Sequence, residues 1–192
     1  MLESIKPEKR NAQPQQNVLY TWWAVLCSGG GKPMNKAEML KLISDIRSSF
    51  PSDWALECPE YLDPDSDAFE DTVGLWGRPW NELKVDDFHR RMYSFFGFPK
   101  ETLPFFLGAV MNASLQEQNF FNDAVGLFLS DTMNEKGEIN RGSCLLDVLY
   151  PSLSADQIIV FRRYLDFAAN NVDPKWKALF ENAAKALSIQ VN

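Results

Sequence analysis

Apolar side chains recur at intervals of three and four residues along most of this chain, and this spacing constrains its fold more than any other feature. The clearest case begins at Ser154. Ser154 and Gln157 form a capping box, in which each side chain satisfies a backbone N–H of the first helical turn. The apolar residues that follow share one helical face: Ile158, Phe161, Leu165 and Ala168. The pattern predicts a helix over 155–170.

Other segments show the same period together with helix start or stop signals. Asn35 and Glu38 form another capping box, and Pro51 ends the helix that they open. Pro104 is typical of a first helical turn. Further helices are predicted over 85–96, 105–115, 119–129, 143–150 and from Pro174 onward. Residues 18–27 also carry a helical stripe, although a buried strand over 19–27 is the competing interpretation.

These patterns predict an all-α fold, because no segment alternates apolar and polar residues convincingly. We expect a single compact domain of about seven or eight helices over 17–192, with a Pro/Gly-broken acidic loop in its middle. Residues 1–16 are polar and contain two prolines, which indicates a flexible N-terminal arm. No fixed internal period is present, so the pattern does not favour a solenoid.

Acidic residues are concentrated between residues 60 and 87. Nine carboxylates face only Arg78 and Lys84, giving this segment a formal charge of −7, which equals the net charge of the whole chain. Such a field around apolar side chains suits a cationic protein partner. The candidate partner-binding residues are Asp63, Asp65, Asp67, Glu70, Asp71, Trp76 and Trp80. The alternative for Trp76 and Trp80 is that one or both pack the loop onto the helical core.

Two short motifs in the chain lack residues that their chemistry requires. Asp63, Asp65 and Asp67 have the spacing of the first calcium ligands of an EF-hand, but the required Gly and Glu are replaced by Ala68 and Gly74. A non-standard calcium loop stays open, although a solvated acidic turn explains the residues better. Residues 28–32 resemble part of a phosphate-binding loop, but proline follows the lysine where Ser or Thr is required. We therefore predict no metal site and no cofactor.

The composition of the chain narrows the remaining classes of function and location. His89 is the only histidine, so an imidazole-based catalytic site has a single candidate, and an ion pair or hydrogen bond on a helix surface is the simpler role. No catalytic residue is assigned, and acid/base chemistry by paired carboxylates stays open. The acidic balance argues against nucleic-acid binding, which needs clustered Lys and Arg. The odd number of three cysteines, the lack of a secretory signal and the lack of a spanning apolar run together predict a cytoplasmic protein that does not enter membranes.

Three blocks together resemble a family. They are WNEL at 80–83, LPFFLGAVMNASL at 103–115 and LSADQIIVFRRYLDF at 153–167. Their order and spacing are similar to an uncharacterised bacterial family, a domain of unknown function, over roughly residues 36–171. The resemblance implies a compact helical cytoplasmic domain, and it brings no established activity or catalytic residues.

Two functional hypotheses follow from these observations. The first is a non-catalytic helical protein-binding module, for example an immunity or antitoxin-like protein, that uses the acidic, Trp-containing segment. The second is a small-molecule binder or enzyme with an aromatic-lined pocket between helices. The first predicts salt-sensitive association with a basic protein, and the second predicts a deep cleft with converging polar groups. The sequence leaves the oligomeric state open.

Overall fold

The structure is a computed structural model, and it describes residues 35–50, 56–58, 60, 62–89, 100–117, 129, 132–133, 138–140 and 142–190. All of these belong to one compact unit, Lys32–Asn192. The predicted arm over 1–16, the stripe over 18–27, the glycine-rich segment at 28–32 and almost all of the predicted helix over 119–129 lie outside the described residues.

Helices dominate the described residues, and no strand is present there beyond an isolated bridge between Met133 and Ile139. The prediction of a mainly helical, strand-free chain is confirmed for this part, while the single domain and the count of seven or eight helices stay predictions. The α-helices are α1 (Lys36–Ser49), α2 (Asp67–Thr72), α3 (Val85–His89), α4 (Leu103–Glu117), α5 (Ala155–Asn171) and α6 (Pro174–Gln190). Short 3₁₀ turns cover Trp80–Glu82, Lys100–Thr102 and Tyr150–Ser152, and a π-helical turn covers Cys144–Leu149.

The capping box predicted at Ser154 is confirmed, and it also joins two helices. The Gln157 backbone N–H donates to Ser154 Oγ at 3.3 Å, and the Ser154 N–H donates to Gln157 Oε1 at 2.9 Å. Gln157 Nε2 then donates to the backbone carbonyl of Ser49, the last residue of α1, at 3.1 Å. The start of α5 is therefore held against the end of α1, and these two helices run antiparallel.

The central helix of the described unit is α4. Twelve of its fifteen residues are buried, which is expected for a helix surrounded by other elements rather than lying on one side of a core. Its neighbours include α1, α3 and the turn Trp80–Glu82. The approach of α1 is close, since a Cβ atom on Gly108 would lie 2.8 Å from Phe50 Cβ. Gly108 therefore lets the end of α1 approach the α4 backbone.

The acidic segment is not only a loop, and here the sequence interpretation was incomplete. Its middle forms the helix α2, which begins after Ser66 because the Ser66 hydroxyl accepts a hydrogen bond from the Phe69 N–H at 3.2 Å. Asp67 and Glu70 occupy the first turn, where negative charge opposes the positive end of the helix dipole. The prolines and glycines on either side confine α2 to six residues.

Candidate functional site

The turn before α2 is fixed by hydrogen bonds to Asp63. Asp63 Oδ1 accepts from the backbone N–H of Asp65 at 3.0 Å. The Asp63 carbonyl accepts from the Ser66 N–H at 3.0 Å and from the Ser66 hydroxyl at 2.6 Å. The carboxylates on and beside this turn therefore project from a defined backbone rather than from a loose chain.

Five carboxylates between residues 60 and 70 are exposed, and we call them the acidic surface: Glu60, Asp63, Asp65, Asp67 and Glu70. No lysine or arginine occurs between residues 60 and 70, and no member of the acidic surface forms an ion pair within the described part of the chain. Asp71 belongs to α2 as well, but its side chain lies outside the described part. Within the described part of the chain, the five negative charges of the acidic surface are therefore not offset by any ion pair.

The two tryptophans predicted to bind a partner are buried. Trp76 is 9% exposed and Trp80 is 0% exposed. The Trp76 indole N–H donates to Thr72 Oγ1 at 2.9 Å, and its ring meets the Phe106 ring edge-on, with centroids 5.3 Å apart. The alternative interpretation, in which these rings pack onto the helical core, describes both of them. Neither indole offers an exposed contact in this conformation, because both lie against the elements around α4.

Arg78, the first cation in the sequence after α2, is already paired with Asp87. Arg78 donates to Asp87 at 2.7 Å, and further to the carbonyls of Gly74 and Glu82 at 3.2 and 3.4 Å. The hydrogen bond that Arg78 donates to the Asp87 carboxylate raises the pKa of the Arg78 guanidinium above its ordinary value. Arg78 therefore closes the turn after α2 and is not available to neutralise the acidic surface.

A positive backbone angle lets this turn close. Gly77 has φ +71°, a left-handed conformation that glycine adopts without steric cost, and its N–H donates to the Leu56 carbonyl at 2.7 Å. The turn is thereby joined to residues on the other side of the acidic surface. The hydrogen bond between Gly77 and Leu56 therefore joins the chain after the acidic surface to the chain before it, and the buried rings of Trp76 and Trp80 hold the segment that follows α2.

Val73 is an apolar residue beside the acidic surface that the sequence interpretation missed. It directly follows α2, lies three residues after Glu70, and is 49% exposed. The aromatic content directed attention to the two tryptophans, whereas a single valine carries no distinguishing sequence signal. Val73 is the exposed apolar side chain that the structure places next to the exposed carboxylates.

Metal-binding geometry is not found in the described part of the chain. No set of three His, Cys, Asp or Glu side chains there could hold a metal ion. Asp63, the first residue of the calcium-like spacing, uses one carboxylate oxygen within its own turn. His89 is the last residue of α3, and its side chain lies outside the described residues.

Two shallow concavities lie between α1 and α5. One, of about 200 Å³, is lined by residues that include Asp45, Asp156 and Ile159, and the other, of about 400 Å³, contains Phe167 as its one aromatic residue. The aromatic-lined pocket of the second hypothesis, with His89 or Tyr93 at its edge, is not found among the described residues, and Tyr93 lies outside them. None of the described helices combines the length and the apolar character that crossing a bilayer requires.

No protein-family model matches this chain, and no curated protein and no solved structure matches it either.

Proposed function

We propose that this protein is a non-catalytic helical binding module that docks a basic protein partner on the acidic surface. The observation that carries this proposal is the group of five exposed carboxylates that form no ion pair with any described residue and have no lysine or arginine among residues 60–70. The turn that carries Asp63 and Asp65 is held by hydrogen bonds to Asp63 from the Asp65 N–H and from the Ser66 hydroxyl. Because the backbone that carries these charges is hydrogen-bonded, less backbone conformational entropy is lost when a partner binds, which favours this use.

The charge of the acidic surface mainly increases the association rate of a partner. An exposed ion pair contributes about 0.2–1 kcal/mol, so even five new pairs supply only about 1–5 kcal/mol of affinity. A field of one sign can nevertheless raise an association rate by roughly 10- to 1,000-fold at low salt. We therefore expect strong dependence of the association rate on ionic strength, and weaker dependence of the dissociation rate.

The apolar part of this contact is assigned to Val73 rather than to the tryptophans. Val73 is exposed beside Glu70, whereas Trp76 and Trp80 lie in the core. The tryptophans then have an indirect role, since their burial fixes the segment that follows α2. A partner with an apolar side chain flanked by Lys or Arg would complement this arrangement.

The finer form of the proposal is an immunity or antitoxin-like protein of a bacterial cytoplasm, built as one helical domain. The net charge of −7 supports this class, since a small acidic protein is suited to cover a basic toxin. The bacterial source is part of this proposal and is based on the resemblance of the blocks at 80–83, 103–115 and 153–167 to a bacterial family. The analogy concerns the class of protein and assigns no particular partner.

The test is affinity capture from the native host at low and high salt with three forms of the protein. The first is the wild type, and the second is the triple variant Asp65→Asn, Asp67→Asn, Glu70→Gln, which removes three charges from the acidic surface. A matched control variant removes three exposed carboxylates from elsewhere: Asp147→Asn, Asp156→Asn and Glu181→Gln. Circular dichroism of each form confirms that the fold is retained.

We expect the wild type and the control variant to capture the same basic protein at low salt, and the triple variant to capture much less of it. High salt should reduce the wild-type recovery towards that of the triple variant. Equal recovery by the wild type and the triple variant, or capture that does not respond to salt, would contradict the proposal.

A further inference from the structure

A second polar site lies in the larger concavity between α1 and α5, which has a volume of about 400 Å³. Two apolar residues, Leu42 of α1 and Phe167 of α5, line it and are both buried. Its walls carry polar side chains of both helices: Glu38 of α1, and Asp166, Asn170 and Asn171 of α5. We call this concavity the α1–α5 groove.

The two asparagines present hydrogen-bond acceptors to the α1–α5 groove. Asn170 Nδ2 donates to the carbonyl of Asp166 at 2.8 Å, and Asn171 Nδ2 donates to the carbonyl of Phe167 at 2.8 Å. These bonds assign the orientation of each amide, since the nitrogen must point back along α5. The Oδ1 atoms receive no hydrogen bond from any described residue, and they remain available as acceptors.

The carboxylates of the groove are not neutralised by its one cationic lining residue, Arg163. Arg163 Nη1 lies 2.6 Å from Asp45 Oδ2, and this contact holds the pKa of the Asp45 carboxyl below its usual range. Lys41 shares Asp45 at 3.1 Å, but it is 68% exposed and does not line the groove. Within the described part of the chain neither Glu38 nor Asp166 forms an ion pair.

We propose that the α1–α5 groove binds a primary alkylammonium group. Such a group has three N–H donors and no acceptor, which matches two carboxylates and two amide oxygens. Its alkyl chain would run along the groove between α1 and α5, as the stem of a lysine side chain lies along a protein surface. The same chemistry is offered by a free aliphatic amine and by the side chain of a peptide lysine.

The test measures binding of n-pentylammonium, with pentan-1-ol as a neutral probe of similar shape, by NMR titration of the full chain at pH 7. A third probe, Nα-acetyl-lysine N-methylamide, represents a peptide lysine. We expect both amines to shift the backbone resonances around Asp166 and Asn170, and the alcohol to bind at least about tenfold more weakly. Tighter binding of the free amine indicates a metabolite as the source, and tighter binding of the blocked lysine indicates a protein.

Two variants keep the proposal open to refutation. The double variant Glu38→Gln, Asp166→Asn should weaken amine binding by about tenfold while leaving alcohol binding unchanged, and Asn170→Leu should weaken it less. The control variant Asp147→Asn, Glu181→Gln removes two exposed carboxylates elsewhere and should bind as the wild type does. Amines that bind no tighter than the alcohol, or with unchanged affinity in the double variant, would overturn the assignment. Because these residues are not part of the acidic surface, the outcome is independent of the proposed protein partner.

Discussion

The buried tryptophans of the turn after α2 provide a matched pair for a stability measurement. The indole N–H of Trp76 donates to Thr72 Oγ1 at 2.9 Å. The indole N–H of Trp80 is buried and has no hydrogen-bond partner in the described structure. Replacing either tryptophan by phenylalanine removes similar apolar volume, so the difference between the two variants reports on the two N–H groups.

The expected change in the free energy of unfolding of each variant follows from three contributions. Each Trp→Phe change removes roughly two carbons of buried side chain, which costs about 1.6 kcal/mol. In Trp76→Phe the lost hydrogen bond adds about 1 kcal/mol, giving a destabilisation of about 2.6 kcal/mol. In Trp80→Phe the change also removes an unpaired buried donor whose desolvation costs about 1–3 kcal/mol, so the two effects nearly cancel. We expect Trp76→Phe to be the more destabilising by about 2 kcal/mol or more.

The assay is urea unfolding followed by far-UV circular dichroism, because the chain has six tryptophans and fluorescence would mix their signals. The free energy of unfolding of each variant is compared with the wild type at equal slope m. A Trp80→Phe variant that is destabilised as much as Trp76→Phe would refute the reasoning, since it would mean that the Trp80 N–H is hydrogen-bonded after all.

Three further predictions concern the helices that support the fold. Burial raises the pKa of Tyr164 to about 12, although its hydrogen bond with Ser114 at 2.9 Å acts in the opposite direction. As the pH rises, the unfolded chain therefore loses this proton before the folded chain does. The free energy of unfolding should fall between about pH 10 and pH 12 by up to about 2.7 kcal/mol. Chemical unfolding at several pH values should show that the Tyr164→Phe variant lacks this part of the decline. Ser154→Ala should cost about 1 kcal/mol in the free energy of unfolding, because the cap of α5 is lost, whereas Ser154→Asn should cost little; thermal unfolding measures both. Gly108→Ala gains about 1 kcal/mol of helix propensity but places a Cβ atom 2.8 Å from Phe50 Cβ, and such overpacking costs about 1–3 kcal/mol. Calorimetry should therefore show net destabilisation of up to about 2 kcal/mol, and a stabilised variant would contradict the close packing of α1 on α4.

Local sequence signals were sufficient for the helices that carry their own start signals. Asn35 and Ser154 each accept backbone N–H hydrogen bonds where the sequence places an N-cap, and α5 extends one residue beyond its predicted end. The helix α2 was missed because six residues are too few to show a period, and because the neighbouring prolines and glycines indicate a loop. The serine that caps it was the one available signal.

Features that depend on contacts between distant residues could not be predicted. Gln157 donates a hydrogen bond to the carbonyl of Ser49, which lies 108 positions earlier in the sequence. No local sequence pattern indicates that α1 and α5 lie side by side. The α1–α5 groove follows from that pairing. Likewise, the spacing of Trp76 and Trp80 is the same for buried and for exposed rings, and only the packing against α4 shows that they are buried.

The association rate of the captured partner is the most direct test of whether the acidic surface is the docking surface. The rate should be measured by stopped-flow or surface binding at about 20 and about 200 mM salt for the wild type, the triple variant Asp65→Asn, Asp67→Asn, Glu70→Gln and the matched control variant. We predict a wild-type rate that falls at least about tenfold between the two salt concentrations, a triple variant that is slow at both, and a control that follows the wild type. A triple variant that associates as fast as the wild type at low salt would contradict the assignment of the docking surface.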